Sequence, residues 1–484
     1  MGKQPKERII RLTGADGARL VLLRPNGTTL AETAVDLDLD SFQKIIDPRA
    51  YGQELARALL TDDVRSALRA DARTRLRLVI DPNLDVAHHR VRWECLLAEA
   101  QSTAPPLSVG PGTPFSRLLH LDSDVHARSP QVDWPLRILV AISNPRNLDA
   151  FGLATVDVDR EWAELQRALK PLRGLVEITR LDAPVTVDRI AQALETPPAI
   201  FHFIGHGIFK QSTGEAALFL EDATSRDANI VLANTLLQRL RAVDDLPHLM
   251  MLTACESGGQ VREGALVGLA PALIEAGAGA VVAMHEKVGI DAAREFNYHF
   301  YRRLATHGVI DLAANEARSY LLDRGGWSWS IPTLFLERQA ERIFAAPPDA
   351  LEAEPAASGE ILILIPEFVG HEPAFFEIDL RDRLREKLDE AALQNVRVVW
   401  LKQTAFGPGD EDAVRRLAAR YGAALVIWGW YDRSRFRARF SVTASLFTYQ
   451  DPGARDQIDV GQRFSQGDDF ALYVNGTLPK QVDS

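Results

Sequence analysis

At 484 residues, 46% hydrophobic and 25% charged, the chain has the makeup of an ordinary soluble globular protein with room for two or three cores. Its formal charge of −11 argues against a sequence-wide nucleic-acid footprint, which needs net positive surface, and no apolar run reaches the roughly 18–20 residues that span a bilayer. The start "MGKQPKERII" lacks an apolar signal core, and two cysteines, Cys95 and Cys255, make no disulfide framework, so a reducing cytoplasm is expected.

Apolar residues alternate in "RIIRLTG" and "RLVLLRP" on either side of "GADG", which predicts a β-hairpin. A helix is predicted over roughly residues 50–70, with Leu55, Ala58, Leu59 and Leu68 at its apolar positions. "LRLVIDP" (76–82) reads as a strand stopped by Pro82, and His88-His89 beside Asp85 as a solvated turn. In "RVRWECLLAEA", Cys95 stands beside Trp93 and two leucines, the setting of a buried packing thiol.

From about residue 135 strands and helices alternate. "LRILVAIS" (136–143) is a continuous apolar strand and "DREWAELQRALKPL" (159–172) an amphipathic helix ending near Pro171. "LVEITRL" is a strand, "TVDRIAQALE" a helix with Thr186 as its N-cap, and "AIFHFIG" a strand. "EAALFLED" reads as an excursion, "NTLLQRLRA" as a helix and "HLMMLTA" as a buried strand. "ALVGLAPALIEAG" is a helix closed by Gly277 before the strand "GAVVAMH", and helices over 291–306 and 310–323 follow. Continuous apolar strands alternating with helices mean a mostly parallel sheet covered on both faces.

The Ala-, Pro- and Glu-rich residues 340–359 read as a linker to a second, smaller α/β unit over 360–484. There "EILILIP", "VRVVWL", "ALVIWGW" and "RFRARFSVTASLF" are strands, and helices fall over 378–391 and 411–421. Its aromatics Trp428, Trp430 and Tyr431 sit at a strand end, where they line a ligand or partner pocket or pack the core. The closing "LYVNGTLPKQVDS" has no capping pattern, which fits the front part of something longer. The expected organisation is an N-terminal hairpin and helix region over 1–130 packed on a core over 131–339, then the linker and the second domain.

Two stretches carry reactive side chains. "FHFIGHG" (201–207) ends an apolar run on His206-Gly207, and "LMMLTACESGG" (249–259) ends one on Cys255. In an open parallel sheet, functional groups gather at the carboxyl ends of the strands. If the two strands are neighbours, the imidazole takes the proton of a thiol whose free pKa is about 8.5, or stabilises its thiolate. Gly207, Gly258 and Gly259 allow close backbone approach, and the amides of Gly207 and Cys255 are candidate oxyanion donors. The bland alternative is two buried strands that carry a His and a Cys. A metal set of His202, His206 and Cys255 lacks helical spacing and a second nearby Cys, so His202 reads as a core or supporting residue. "GAGA" (277–280) leads into a strand and is no dinucleotide loop.

These residues resemble the CHAT family of caspase-like cysteine peptidases, relatives of caspases and separase. The resemblance runs over roughly residues 70–336, and "LRLVID…VRWECLL", "LRILVAIS" and "FYRRLATHGVIDLAANEARSYLL" share in it. It implies an α/β, caspase-like fold, with Cys255 as nucleophile, His206 as general base or ion-pair partner and Gly207 as oxyanion donor. In separase-like relatives an acidic residue after the strand "GAVVAMH" helps to bind a basic side chain. Glu286 or Asp291 stands there in this chain, with Lys287 beside Glu286, and an exposed loop carboxylate is the plainer reading. Residues 360–484 loosely resemble small modules that precede tetratricopeptide arrays, which implies a sensor or docking domain.

The expected function is thus a regulated cytoplasmic cysteine endopeptidase in bacterial defence or stress signalling, with a protein substrate and an activating protein or ligand at the C-terminal domain. No cofactor, metal, membrane or direct nucleic-acid partner is expected. The rival is a non-catalytic peptide-binding scaffold of the same fold. A thiol redox sensor is disfavoured because no resolving Cys lies near Cys255 in sequence.

Overall fold

Strands β1 (Lys6–Thr13) and β2 (Arg19–Leu23) pair antiparallel, the hairpin their alternation predicts, and β3 (Thr29–Ala34) extends it. The computed structural model divides into two units, Met1–Pro347 and Pro348–Ser484. It describes residues 6–14, 18–42, 44–69, 74–81, 83–84, 88–89, 91–110, 112–119, 135–169, 176–210, 215–254, 265–284, 289–322, 325–344, 355–368, 380–381, 384–385, 387–388, 391, 393, 395–406, 410–432, 435–442 and 457–459.

After a short turn of helix, α1 (Leu39–Phe42), the single helix predicted near residues 50–70 is two helices, α2 (Pro48–Leu59) and α3 (Asp62–Arg69). Asp47 caps α2 by accepting from the amide of Ala50 at 2.7 Å, and Pro48 supplies a preset first turn. Leu60 leaves helical geometry, and Asp62 and Asp63 open α3 with carboxylates at its positive end. Next come β4 (Thr74–Ile80) and β5 (Phe115–Leu118). His88 and His89 are half-buried between these strands and not a solvated turn. Their carbonyls accept from Trp93 Nε1 at 2.9 Å and Arg117 at 3.0 Å. Cys95 is fully buried, as its apolar surroundings predict.

The alternating part runs β6 (Leu136–Ile142), α4 (Val158–Leu169), β7 (Val176–Arg180), α5 (Val187–Leu194) and β8 (Ile200–Lys210). It continues through β9 (Glu215–Glu221), β10 (Ala228–Leu232), α6 (Ala233–Leu240), β11 (Leu249–Ala254), α7 (Ala265–Glu275) and β12 (Ala280–Met284). Helices α8 (Ile290–His307) and α9 (Ile310–Leu322) and strand β13 (Pro332–Leu336) complete the unit. Thr186 caps α5 as predicted, accepting from the Arg189 amide at 3.2 Å.

Among the described residues, the thirteen strands of this unit join one sheet. Strands β7, β6, β8, β11 and β12 are parallel neighbours; β13 runs antiparallel to β12 and hands over to β5, β4 and β1. One face packs Leu165, Phe296, Phe300, Leu304 and Ala317 from α4, α8 and α9. The opposite face packs Ile190, Leu236 and Leu273 from α5, α6 and α7. The fold is α/β with a mostly parallel sheet covered on both sides.

Two arginines inside β4 are buried with their charges answered. Asp311 on α9 binds Arg75 at 2.6 Å and Arg77 at 3.1 Å, and Glu341 binds both at 3.3 Å. Residues 340–344, at the start of the predicted linker, are therefore part of this unit: Ile343 and Phe344 are buried in its core, and the Ile343 amide donates to Gly308 at 2.9 Å.

In the second unit β14 (Ile361–Phe368), β15 (Val396–Phe406), β16 (Leu425–Asp432), β17 (Arg435–Val442) and β18 (Gln457–Asp459) form one sheet in the order β15-β14-β16-β17-β18. Helix α10 (Glu411–Tyr421) packs Val414 and Ala418 on Leu362, Val426 and Trp428. Trp428 is thus a core residue, edge-on to Phe406, while the side chains of Trp430 and Tyr431 lie outside the described residues.

Candidate active site

Strand β8 changes partners at His206. Its first half, Ile200 to Gly205, lies between β6 and β11, both parallel to it. From His206 onward it pairs antiparallel with β9. The sequence predicts a strand ending at Gly205; the strand instead runs on through His206 and Gly207. The physical reason is the stretch read as an excursion, Glu215–Glu221, which returns as β9 and gives the extension a partner, and β10 then pairs with β9. Gly205 stands where a side chain does not fit: a Cβ there would lie 2.8 Å from the Phe203 ring and 3.3 Å from Ser143 Cβ.

The loop between β6 and α4 lies across this junction and holds His206. The Ser143 amide continues the ladder to Ile204 at 2.9 Å, and its hydroxyl donates to the Phe219 carbonyl at 2.8 Å. Asn144 Oδ1 accepts from the Val156 amide at 2.9 Å, bracing the loop around Ala154. Buried Glu221 accepts from the amides of Asn144 at 3.3 Å and Val185 at 2.9 Å. Leu148 and Leu153 pack on Phe219, with Ile208 beside them.

His206 is 3% exposed, and its Nε2 lies 2.9 Å from the Ala154 carbonyl oxygen. A carbonyl oxygen only accepts, so Nε2 carries the proton and the basic lone pair of the neutral ring is on Nδ1. Burial lowers the His206 pKa below its usual value, and the Ala154 carbonyl pulls in the opposite direction. The ring is therefore neutral at pH 7, the state a general base requires.

His202, earlier on the same strand, is a supporting residue. Its Nε2 is 3.0 Å from Thr253 Oγ1 on β11 and its Nδ1 is 3.0 Å from the Tyr301 hydroxyl on α8. Burial alone pushes its pKa down to about 3. Both ring nitrogens are engaged by hydroxyls, which speaks against a metal set built on His202. Among the described residues no cluster of three His, Cys, Asp or Glu is placed to hold a metal, and no helix is long and apolar enough to cross a membrane.

Cys255 and Glu286 lie outside the described residues. The structure does place the residue before Cys255: Ala254 stands opposite Gly205, and Thr253 opposite Ile204. Two parallel neighbouring strands thus lead directly into Cys255 and His206. Gly207 is opposite Leu218 within the β8–β9 ladder and not in a turn. Asp291, in the first turn of α8, is 84% exposed and 3.3 Å from Arg294, which also binds Glu161 on α4 at 2.6 Å. Neither Ala154 nor Asn144 carries a sequence signal of its role. A backbone carbonyl has no residue signature, and Asn144 acts on a partner twelve residues away.

A family model described as the CHAT domain matches residues 49–356, more than half of the chain. Among solved structures, the chain is similar to the Arg-specific cysteine proteinase gingipain R at 12% identity and TM-score 0.38, over 61% of this chain and 72% of that one. The complex of the pro- and mature domains of RgpB from Porphyromonas gingivalis is similar at 12% identity and TM-score 0.35, over 60% and 72%. The separase–securin complex of Saccharomyces cerevisiae is similar at 12% identity and TM-score 0.32, over 54% of this chain and 15% of that one. No curated protein matches.

Proposed function

The chain belongs to the CHAT-domain family, and on that premise we propose that it is a cysteine endopeptidase working through Cys255 and His206. The observation that carries this reading is the register of β8 and β11, which sets Ala254 against Gly205 immediately before the two reactive residues. The Ala154 carbonyl supports it further by fixing the His206 tautomer with its base on Nδ1.

In this mechanism Nδ1 of His206 takes the Cys255 proton, and the thiolate sulfur bonds to the carbonyl carbon of a substrate peptide. The carbonyl electrons move to oxygen, where the Gly207 and Cys255 amides are the proposed donors. As the tetrahedral intermediate collapses, the carbon–nitrogen bond breaks and imidazolium Nδ1 gives its proton to the departing amine. Water then attacks the thioester, His206 accepts its proton, and the acid product leaves with the thiol restored. The substrate is a protein and the setting a bacterial cytoplasm, in defence or stress signalling. Residues 360–484 serve as the module where an activating protein or ligand docks. Glu286 or Asp291 is the proposed contact for a basic side chain before the cut, with Asp291 already drawn to Arg294.

Alkylation of Cys255 by iodoacetamide as a function of pH, followed by peptide mass spectrometry, tests the pair. The reading expects the neutral His206 base to assist proton removal, so that Cys255 alkylates at pH 7 several-fold faster in the wild type than in His206→Ala. Equal rates at pH 7 in the two chains would contradict it and leave a peptide-binding scaffold.

A further inference from the structure

The side of His206 away from β11 carries an apolar platform. His206 on β8, Phe219 on β9 and Ile230 on β10 stand in one cross-strand row, each directly opposite the next. Residues directly opposite in antiparallel pairs project on the same face, so this row continues outward from the histidine. Phe219 is buried under Leu148 and Leu153. The residues flanking it are not: Ile230 is 40% exposed, and Phe151, edge-on to Phe219 with ring centroids 5.3 Å apart, is 42% exposed. Phe151 lies on the loop whose Ala154 carbonyl holds His206. Two large, partly exposed apolar side chains therefore flank Phe219, which stands directly opposite His206.

From this arrangement we propose that Phe151 and Ile230 form a specificity subsite for an apolar side chain in the first three substrate residues after the cut. The inference rests on the peptidase reading above. The leaving amine must come within hydrogen-bond reach of His206 to receive its proton, so the chain that follows the cut starts at the imidazole. Cys255 follows β11 on one side of β8, and β9 and β10 extend from the other. A line from nucleophile to general acid therefore runs on toward Ile230 across the loop that covers Phe219 with Leu148 and Leu153. Adjacent strands are about 4.8 Å apart, which puts Ile230 roughly 10 Å beyond β8. An extended peptide covers that in about three residues. An apolar side chain facing the platform sheds water against Phe151 and Ile230; a carboxylate there would lose hydration with no counter-charge among these residues.

The test uses peptides spanning a site that the wild-type chain cuts, with Leu or Asp at each of the first three positions after the cut. The readout is the ratio of kcat/KM for the Leu and Asp peptides. At one or more positions the wild type is expected to favour Leu by about tenfold or more, the scale of one apolar pocket contact. Phe151→Ser and Ile230→Ser each bring that ratio within about threefold of unity. Phe151→Leu restores most of it, and Ile46→Ser, at an 87% exposed residue before α2, retains it. A wild-type chain that cuts but shows no Leu preference, or a preference that survives both serine variants, would overturn the subsite alone. A collapse equally large in Ile46→Ser would also overturn it. A chain that cuts nothing overturns the peptidase reading, and the subsite with it.

Discussion

Ala254 and Gly205 stand opposite each other as the last described pair of the parallel strands β11 and β8. The residues that follow them in the chain are Cys255 and His206, so two segments about fifty residues apart in sequence reach the same rim of the sheet together. The frame that holds this rim is built from His202 and the loop around Ala154.

The buried imidazole of His202 makes stability pH-dependent. Its folded pKa of about 3 lies below the usual His value of about 6.5, so the unfolded chain binds the extra proton first. The stabilising contribution is complete above pH 6.5 and falls as pH drops toward the folded value, by up to about 1.4 kcal/mol per unit. His202→Gln, which cannot titrate, is expected to flatten the fall between pH 6.5 and 4.5 in urea unfolding. An identical slope in both proteins would refute this assignment.

His206 sets the acid limb of activity. Its pKa is lowered chiefly by burial, so the neutral base persists below the usual His titration. The profile of kcat/KM is expected to lose its acid limb with a midpoint below pH 6.5. A midpoint above 7 would mean that the ring is stabilised as a cation in the free enzyme.

Asn144 acts at one remove from the histidine. Asn144→Ala removes the acceptor of the Val156 amide and loosens the loop that presents Ala154. The expected cost is about 1 kcal/mol of stability. The kcat is expected to fall more than KM changes, because the imidazole loses its fixed tautomer. A glutamine side chain is one methylene too long for this span, so Asn144→Gln is expected to rescue stability only in part. Asn144→Asp keeps the acceptor and most of the activity.

Asp311 carries the largest structural consequence. It is fully buried between Arg75 and Arg77, and Asp311→Ala leaves Glu341 and Glu7 as the carboxylates to answer two guanidinium groups. A loss of about 3–5 kcal/mol is expected in denaturant unfolding, without change in the cross-strand register of β8 and β11. A loss below about 1 kcal/mol would mean that Glu341 and Glu7 suffice.

Much of this was legible in the chain. Continuous apolar runs marked β6, β8, β11 and β12, and the Thr186 cap and the helices α4 to α9 followed from periodicity and end signals. The strands missed were β3, β5, β10, β13 and β18, each six residues or fewer, too short for their own pattern to declare and defined by the strand each pairs with. The same cause hid the extension of β8, since His206 and Gly207 become strand only because β9 returns beside them. Polar anchoring was the least legible part. Ala154 contributes through its backbone, Tyr301 reaches His202 from a helix 99 residues away, and the His88-His89 carbonyls serve Trp93 and Arg117 through folded proximity.

The most direct measurement is mass-spectrometric mapping of new protein N-termini in a native host lysate, comparing added wild-type chain with Cys255→Ala and His206→Ala. Lysate supplies both the substrate and any activating partner. Cuts at one or a few sites in the wild-type sample, absent with both variants, are the predicted result. The same set of N-termini from all three chains would contradict a peptidase built on His206 and Cys255.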